Sequence, residues 1–349
     1  QKADIKFLEI RREKMSERIY LLPKEGTVYK ANLHCHTIHS DGHLTPEAVK
    51  VAYMEKGYQI VAITDHRYYH WHQNLCDQNF LVLAAMEVDI NEHFKRPGDF
   101  SMAKTYHINL YDTIPEQFVE EKQSDLLPER RYNDTDYINE YICKMKEYGF
   151  YACYNHPYWS LQNYDDYKNL RGFWGMEIYN YGCEHDGLYG FNPQSYDEML
   201  RQGNRLFCVA TDDNHNQFSF DDPLCDSFGG FVMVKAKNLT YEAVTSALLQ
   251  GDFYSSMGPE IYGMSVKDGV LGIETSPVEK IYVITSGRNC HKKVAAFGQT
   301  ITDATFELDG TEEYIRVQIR DGQGRYACSN AYEMRGTVPV LRTYDMAGS

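Results

Sequence analysis

Several things this chain lacks narrow what it can be. No window approaches the ~18 consecutive apolar residues that a membrane-spanning helix needs, although 43% of the residues are hydrophobic. Positive charge is in deficit: 35 Lys and Arg stand against 50 Asp and Glu, a formal net charge of −15. That balance argues against a broad nucleic-acid-binding face, which would be basic. It leaves room for a local positive site made by bound cations. The nine cysteines are scattered without a CxxC pair, which excludes a zinc ribbon and gives no disulfide framework. Most are expected to be buried small apolar residues, Cys35 among them. No glycine-rich phosphate loop is evident. The chain opens on Gln1 rather than Met. The expectation is a trimmed, soluble chain, cytoplasmic or, if a signal was removed, periplasmic or secreted. The oligomeric state is left open.

What is present is an alternation. Residues 1–30 read as a charged N-terminal extension, with a short periodic stretch at Phe7, Leu8 and Ile10. From residue 31 apolar runs alternate with amphipathic segments. Thr45-Pro46-Glu47 starts a helix, Val49, Ala52 and Tyr53 give it an inward face, and Gly57 ends it. Gln59–Ile63, Phe80–Met86, Tyr106–Leu110, Phe150–Tyr154, Gly175–Tyr179, Leu206–Ala210 and Phe231–Val234 read as strands. Helices are expected around Ile138–Met145, over Tyr196–Arg201, and from Thr240 to Leu249. Such alternation predicts an α/β domain over 31–257 with a parallel sheet covered by helices, of the kind found in (β/α) barrels. After Gly258-Pro259 the helical period disappears. Short alternating segments separated by Asp-Gly turns predict a small all-β appendage, β-sandwich-like, over 258–335. Residues 336–349 read as a loose tail.

The polar residues at the strand ends carry the chemistry. His34 and His36 alternate onto one strand face, and Asp41 follows. His66, Glu87, His107, His156, Asp213 and His215 recur at later strand ends. In barrels and open α/β sheets the carboxyl ends of the strands are where active sites form. Imidazole and carboxylate suit zinc, iron or manganese. Nine donors are too many for one ion and enough for two or three. Three divalent ions against Asp41, Glu87 and Asp213 would leave a local excess of about +3, which attracts an anion. Asp65 is expected to orient the imidazole of His66. Asp212 competes with Asp213, and the one-residue spacer to His215 favours Asp213. His39, His43, His70, His72, His93 and His185 read as ordinary loop or surface residues.

His34-x-His36, Ser40-Asp41-Gly42, Ile63-Thr64-Asp65-His66, Glu87, His107, Asn155-His156-Pro157 and Asp213-x-His215 together resemble the motif series of the polymerase and histidinol phosphatase (PHP) family. The resemblance spans about residues 30–255. It implies a distorted seven-stranded TIM-like barrel, a trinuclear metal centre, and metal-dependent hydrolysis of phosphoesters. It further implies that His34, His36 and Asp213 hold one ion. Glu87 bridges to a second completed by His107 and His156, and Asp41, His66 and His215 hold a third. Thr211-Asp212-Asp213 departs from the family pattern, which has a small residue before its aspartate. The Glu87–His107 connection, with Lys95-Arg96-Pro97-Gly98, looks like an insertion at the mouth.

The expected reaction is attack on phosphorus by a metal-bridging water or hydroxide held by Glu87, Asp213, His34 and His36. The expected substrate is a small phosphomonoester or nucleotide-like phosphodiester. Arg67 is a candidate phosphate clamp, with a surface ion pair as the alternative. Asn180 is a candidate substrate contact or a loop cap. Tyr68, Tyr69, Trp71, Tyr158 and Trp159 could stack a nucleobase, although packing over the mouth is the preferred reading. Three rivals remain: an amidohydrolase-type hydrolase, disfavoured because no lysine stands at a strand end; a non-catalytic metal-stabilised binding module; and exonuclease work on DNA, against which the charge counts.

Overall fold

A computed structural model describes residues 18–93, 99–117, 120–341 and 343–346. The stretch around Phe7 and the Lys95–Gly98 segment lie outside the described residues. Two units are distinguished: residues 27–257 together with the end of the chain from 343, and residues 258–342 together with the N-terminal stretch up to 26. β1 (Ile19–Tyr20) belongs to the smaller unit. The apolar runs of the larger unit form β2 (Thr27–Asn32), β3 (Ile60–Ile63), β4 (Leu81–Asn91), β5 (Thr105–Asp112), β6 (Phe150–Tyr154), β7 (Gly175–Asn180), β8 (Phe207–Thr211), β9 (Phe231–Ala236) and β10 (Phe253–Ser256). Its helices are α1 (Pro46–Glu55), α2 (Thr135–Glu147), α3 (Tyr164–Tyr167), α4 (Tyr181–His185), α5 (Pro193–Arg201) and α6 (Tyr241–Gln250).

Local chemistry sets these elements. Thr45 caps α1 by accepting the Ala48 N–H at 3.2 Å, and Val49, Ala52 and Tyr53 turn inward as their spacing requires. Asp134 caps α2 at the Tyr137 N–H. Thr240 caps α6, and Gly251 at φ +73° ends it in the left-handed region, where a side chain would be strained. Tyr53 and Val49 of α1 pack with Cys35, Tyr58, Val61, Ile63, Phe80 and Val82 in a buried cluster on one side of the sheet.

In the larger unit the strands run in the order β10-β9-β2-β3-β4-β5-β6-β7-β8. The pairs β2/β3, β3/β4, β6/β7 and β7/β8 are parallel. The pairs β4/β5, β5/β6, β2/β9 and β9/β10 are antiparallel. The expected all-parallel sheet is therefore a mixed one. The 92–104 connection, whose described residues hold only the short helical turn Asp99–Met102, leads from β4 into its antiparallel neighbour β5.

The sheet is also not a closed barrel: β8 ends the path, and among the described residues no ladder returns from it to β2, β9 or β10. Side chains supply what a ladder would have. Ser255 Oγ of β10 donates to Cys208 O of β8. The Asp212 carboxylate accepts the N–H groups of Phe228, Gly229 and Gly230, each at 2.8 Å. Past the ends of β2 and β8 the backbone joins directly, with His36 N–H to Asn214 O and Asp213 N–H to His34 O, both at 3.0 Å. At the tail, Tyr344 is fixed on the larger unit by Leu249 O and Gly172 O.

No helix occurs among the described residues of the smaller unit. One antiparallel sheet runs β1-β11-β12-β15, with β11 at Ile261–Lys267, β12 at Val270–Val278 and β15 at Ile301–Glu307. A second set holds β13 (Lys280–Thr285), β14 (His291–Val294), β16 (Tyr314–Arg320), β17 (Tyr326–Ser329), β18 (Tyr332–Arg335) and β19 (Val338–Val340). Asp268 and Gly269, both at positive φ, form the tight β11–β12 turn that an Asp-Gly pair favours. Among the described residues, no helix is long and apolar enough to cross a membrane.

Candidate metal centre

All nine expected ligands meet at one end of the strands of the larger unit. His34, His36 and Asp41 follow β2, and His66 follows β3. Glu87 and His107 lie within β4 and β5, His156 follows β6, and Asp213 and His215 follow β8. His34 Nε2 stands 3.0 Å from Asp213 Oδ1, 3.1 Å from His36 Nε2 and 3.3 Å from Glu87 Oε1. His36 Nε2 is 3.1 Å from Asp213 Oδ1. His107 Nδ1 and His156 Nε2 approach Glu87 Oε1 at 3.2 and 3.6 Å. His66 Nδ1 approaches Glu87 Oε2 at 3.0 Å. Asp41 closes the far side, 3.4 Å from His215 and 3.6 Å from both His66 and His36.

Three local strains accompany this placement. Arg67, His156 and Asp213, each just past a strand end, have φ of +54°, +22° and +52°. Non-glycine residues are held there only when the surroundings over-determine them, and such positions cluster at functional sites.

Among the described residues five donor sets overlap within ligand-sharing distance: His34, His36 and Asp213; His36, Asp41, His66 and His215; His66, Glu87 and His107; His34, His156 and Glu177; and His156, Cys183 and Asp213. The donor chemistry fits divalent cations. Glu87 is buried, and its Oε2 makes no hydrogen bond although imidazole nitrogens stand 3.0 and 3.4 Å away. Lone pairs facing lone pairs across such gaps is the arrangement that a cation satisfies.

The electrostatics are those of a strongly coupled buried cluster. Burial alone would raise Glu87 and Asp213, yet the surrounding imidazoles hold both well below the usual carboxylate range. Burial alone would lower His34, yet Asp213, Glu87 and Glu177 hold it well above an ordinary imidazole. His36, buried and facing His215, is pushed down to about 4. His215 is raised to about 9, against its burial, by Asp41 and Asp213.

Several residues play other parts than their sequence positions suggest. Asp65 does not orient His66. Its oxygens take the Thr37 N–H, Thr37 Oγ1 and Ser40 Oγ at 2.7–2.8 Å, so it fixes the turn that presents Asp41. Asp212 points away from the cluster, towards Tyr53 and the 228–230 backbone, which leaves Asp213 as the facing acid. Asn180 is fully buried and makes no open contact. Its Nδ2 donates to Glu177 Oε2 and Asp213 Oδ2, and its Oδ1 caps α4 at the Cys183 N–H. Arg67 pairs with Asp89 at 3.1 Å. Tyr69 donates to Asp112 and Trp71 packs edge-on against Tyr241, so neither forms a stacking platform at the cleft.

Glu177 has no counterpart among the expected residues. It accepts from His34 Nδ1 at 2.7 Å, from the His156 N–H and from Thr211 Oγ1. This leaves His34 Nε2 as the free donor atom. Cys183 is a second unexpected neighbour; burial pushes its thiol well up, which keeps it protonated.

The cluster floors a cleft of ≈ 620 Å³, whose lining also includes Trp159, His185, Asp186, Phe218, Leu224 and Asp226. No Lys or Arg appears among the described lining residues.

No family model and no curated protein matches the chain. Among solved structures it is similar to a two-domain protein from Bacteroides vulgatus containing a predicted PHP-like metal-dependent phosphoesterase. The identity is 13%, with 92% of this chain and 98% of that chain covered and a TM-score of 0.43. It is also similar to a proposed metal-dependent phosphoesterase from Bifidobacterium adolescentis (15% identity, 65% and 96% covered, TM-score 0.33). A third likeness is to an amidohydrolase from Chromobacterium violaceum with bound sulfate and no metal (14% identity, 56% and 93% covered, TM-score 0.26). These likenesses are remote, and the assignment of function rests on the chain's own side chains.

Proposed function

We propose that this chain is a metal-dependent hydrolase of phosphoesters in small molecules, working with two or three divalent ions drawn from zinc, manganese and iron. The observation that supports it is the convergence, from six strands, of nine imidazole and carboxylate groups into overlapping sets of three or four. In this reading His34, His36 and Asp213 form one site. Glu87 bridges to a second site completed by His107 and His156, and Asp41, His66 and His215 form the third. The two oxygens of Glu87 suit the bridging role, because Oε1 faces His34, His107 and His156 while Oε2 faces His36 and His66. We also read the nine-strand sheet as an opened, distorted barrel of the PHP type, with its site at one end of the strands.

Divalent ions held here would supply Lewis acidity and lower the pKa of a coordinated water toward ~7. The protein's part is orientation. Glu177 holds the tautomer of His34, and Ser160 Oγ lies 3.2 Å from His156 Nδ1. Asn180 steadies Asp213, and Asp65 steadies the turn before Asp41. A phosphoryl group would be drawn in by the ions themselves, since the described lining offers no guanidinium or ammonium.

The test is elemental analysis of the purified protein followed by a panel of phosphoesters and amides assayed with the metal found. Two or more ions per chain and release of inorganic phosphate are expected, with both lost together in His34→Ala. Fewer than two ions after supplementation overturns the multinuclear assignment. Amide cleavage in place of phosphate release overturns the reaction class, and full turnover by a metal-free His34→Ala variant overturns the metal dependence.

A further inference from the structure

We infer that the cleft takes singly phosphorylated substrates whose leaving group is a flat apolar alcohol seated against Trp159, Phe218 and Leu224. This rests on the phosphoesterase reading above and adds the substrate class.

Trp159 is the anchor. Its Nε1–H donates to Asp186 Oδ2 at 2.8 Å, which fixes the indole. Its ring stands edge-on to His156 at 5.1 Å and 5.8 Å from His107, so the platform begins directly beside two candidate ligands. Phe218 and Leu224 line the same cleft, with 40% and 47% of their surface exposed. Apolar side chains left open at the mouth of a polar centre are where a ligand's apolar part gains by leaving water.

The charge of the described lining disfavours the alternatives. Asp186 and Asp226 stand on the same lining, and no Lys or Arg is among its described residues. Asp226 is fixed there by the N–H groups of His215 and Asn216. A second phosphate would bring a further −1.5 to −2 charges, roughly, at neutral pH. It would lie beside carboxylates, beyond the ions that engage the first. A purely polar leaving group would leave Trp159, Phe218 and Leu224, which line this cleft, in contact with water.

The step is hydrolysis. A water oxygen forms the new bond to phosphorus, the bond to the leaving oxygen breaks, and the alcohol departs with a proton from that water.

The experiment compares benzyl phosphate, methyl phosphate and the bisphosphate of 1,4-benzenedimethanol on the metal-loaded full chain. All are alkyl esters, so leaving-group basicity differs little. Benzyl phosphate should exceed methyl phosphate in kcat/KM by about tenfold or more, the scale expected for burying a ring. The bisphosphate should fall below benzyl phosphate. Phe218→Ala and Trp159→Ala should each shrink the benzyl-to-methyl ratio, mainly through KM. Calorimetric titration with benzylphosphonate and methylphosphonate, which cannot be hydrolysed, separates the two hypotheses. Tighter benzylphosphonate binding without hydrolysis of any ester would sink the phosphoesterase reading and leave the apolar subsite standing. Equal binding of the two phosphonates, or equal turnover of the benzyl and methyl esters, overturns the inference. Preference for the bisphosphate overturns its charge argument.

Discussion

Glu177 sits in mid-strand between Met176 and Ile178, with no histidine or acid beside it in sequence to mark it. Its hydrogen bond to His34 Nδ1 nonetheless decides which nitrogen of His34 faces the cluster. Glu177→Gln keeps the shape and removes the charge that strengthens this imidazole as a donor. Metal affinity should fall about 10- to 100-fold with the fold retained, read by competition against a chromophoric chelator with circular dichroism as the control. Unchanged affinity would remove Glu177 from the site's machinery. Histidine protonation gives a second expectation. In the metal-free protein His215 titrates near 9, so at pH 7 it carries a proton that a bound cation must displace. Affinity should therefore rise from pH 7 to 9, and calorimetry at pH 7 in buffers of different ionisation enthalpy should detect released protons. The nine clustered residues were legible because imidazoles and acids recurred at successive strand ends. The parts played by Asp65, Asn180 and Arg67 were not. Each depends on a partner distant in sequence: Asp65 on Thr37 and Ser40, Asn180 on Asp213, and Arg67 on Asp89.

Hydrophobic periodicity located β3 to β9 and the inward faces of α1 and α2, because burial of one face leaves its period in the sequence, while β10 and most of β2 lay outside the runs that read as strands. Strand direction left no such trace. β4, β5 and β6 are buried along most of their length, so no alternation with solvent distinguishes parallel from antiparallel neighbours. The unclosed edge was equally hidden, since it is bridged by Ser255 and by the carboxylate of Asp212. Gly230, where β9 begins, shows how tight that bridge is. A Cβ there would lie 2.0 Å from Thr211 O at the end of β8. Gly230→Ala should cost about 1–3 kcal/mol and displace Asp213, lowering metal affinity as well. Urea unfolding and metal titration on the same variant test both effects, and a fully stable variant would show that the edge yields more easily than this contact implies. Just past α6, Asp252 is half-buried, and burial raises its carboxyl to about 6. Its unfolded value is near 4, so the folded state binds its proton more tightly. For this group stability is greatest below about pH 4 and is lost as pH rises to 6. Asp252→Asn should raise the thermal midpoint at pH 7, and the gain should vanish near pH 4.

At the scale of the whole chain, an excess of 15 negative charges includes a buried set, Glu87, Glu177 and Asp213, gathered without a lysine or arginine on the described lining. In the metal-free protein the compensation falls to histidines, several forced from their ordinary protonation. Divalent cations would replace that arrangement with direct charge neutralisation, so they should bind the folded chain far better than the unfolded one. For a single site, free ion at 100 times its dissociation constant adds about 2.7 kcal/mol of stability. At roughly 2–4 °C per kcal/mol for a domain of this size, the melting midpoint should rise by about 5–10 °C. Excess chelator should reverse the shift. Sodium chloride at matched ionic strength should not reproduce it, because screening acts on exposed charges and these are buried. His34→Ala, which removes a nitrogen facing both Asp213 and Glu87, should lose most of the metal-induced shift while keeping any response to salt. A metal-induced rise equal in His34→Ala and the native chain would place the stabilising ion elsewhere in the molecule.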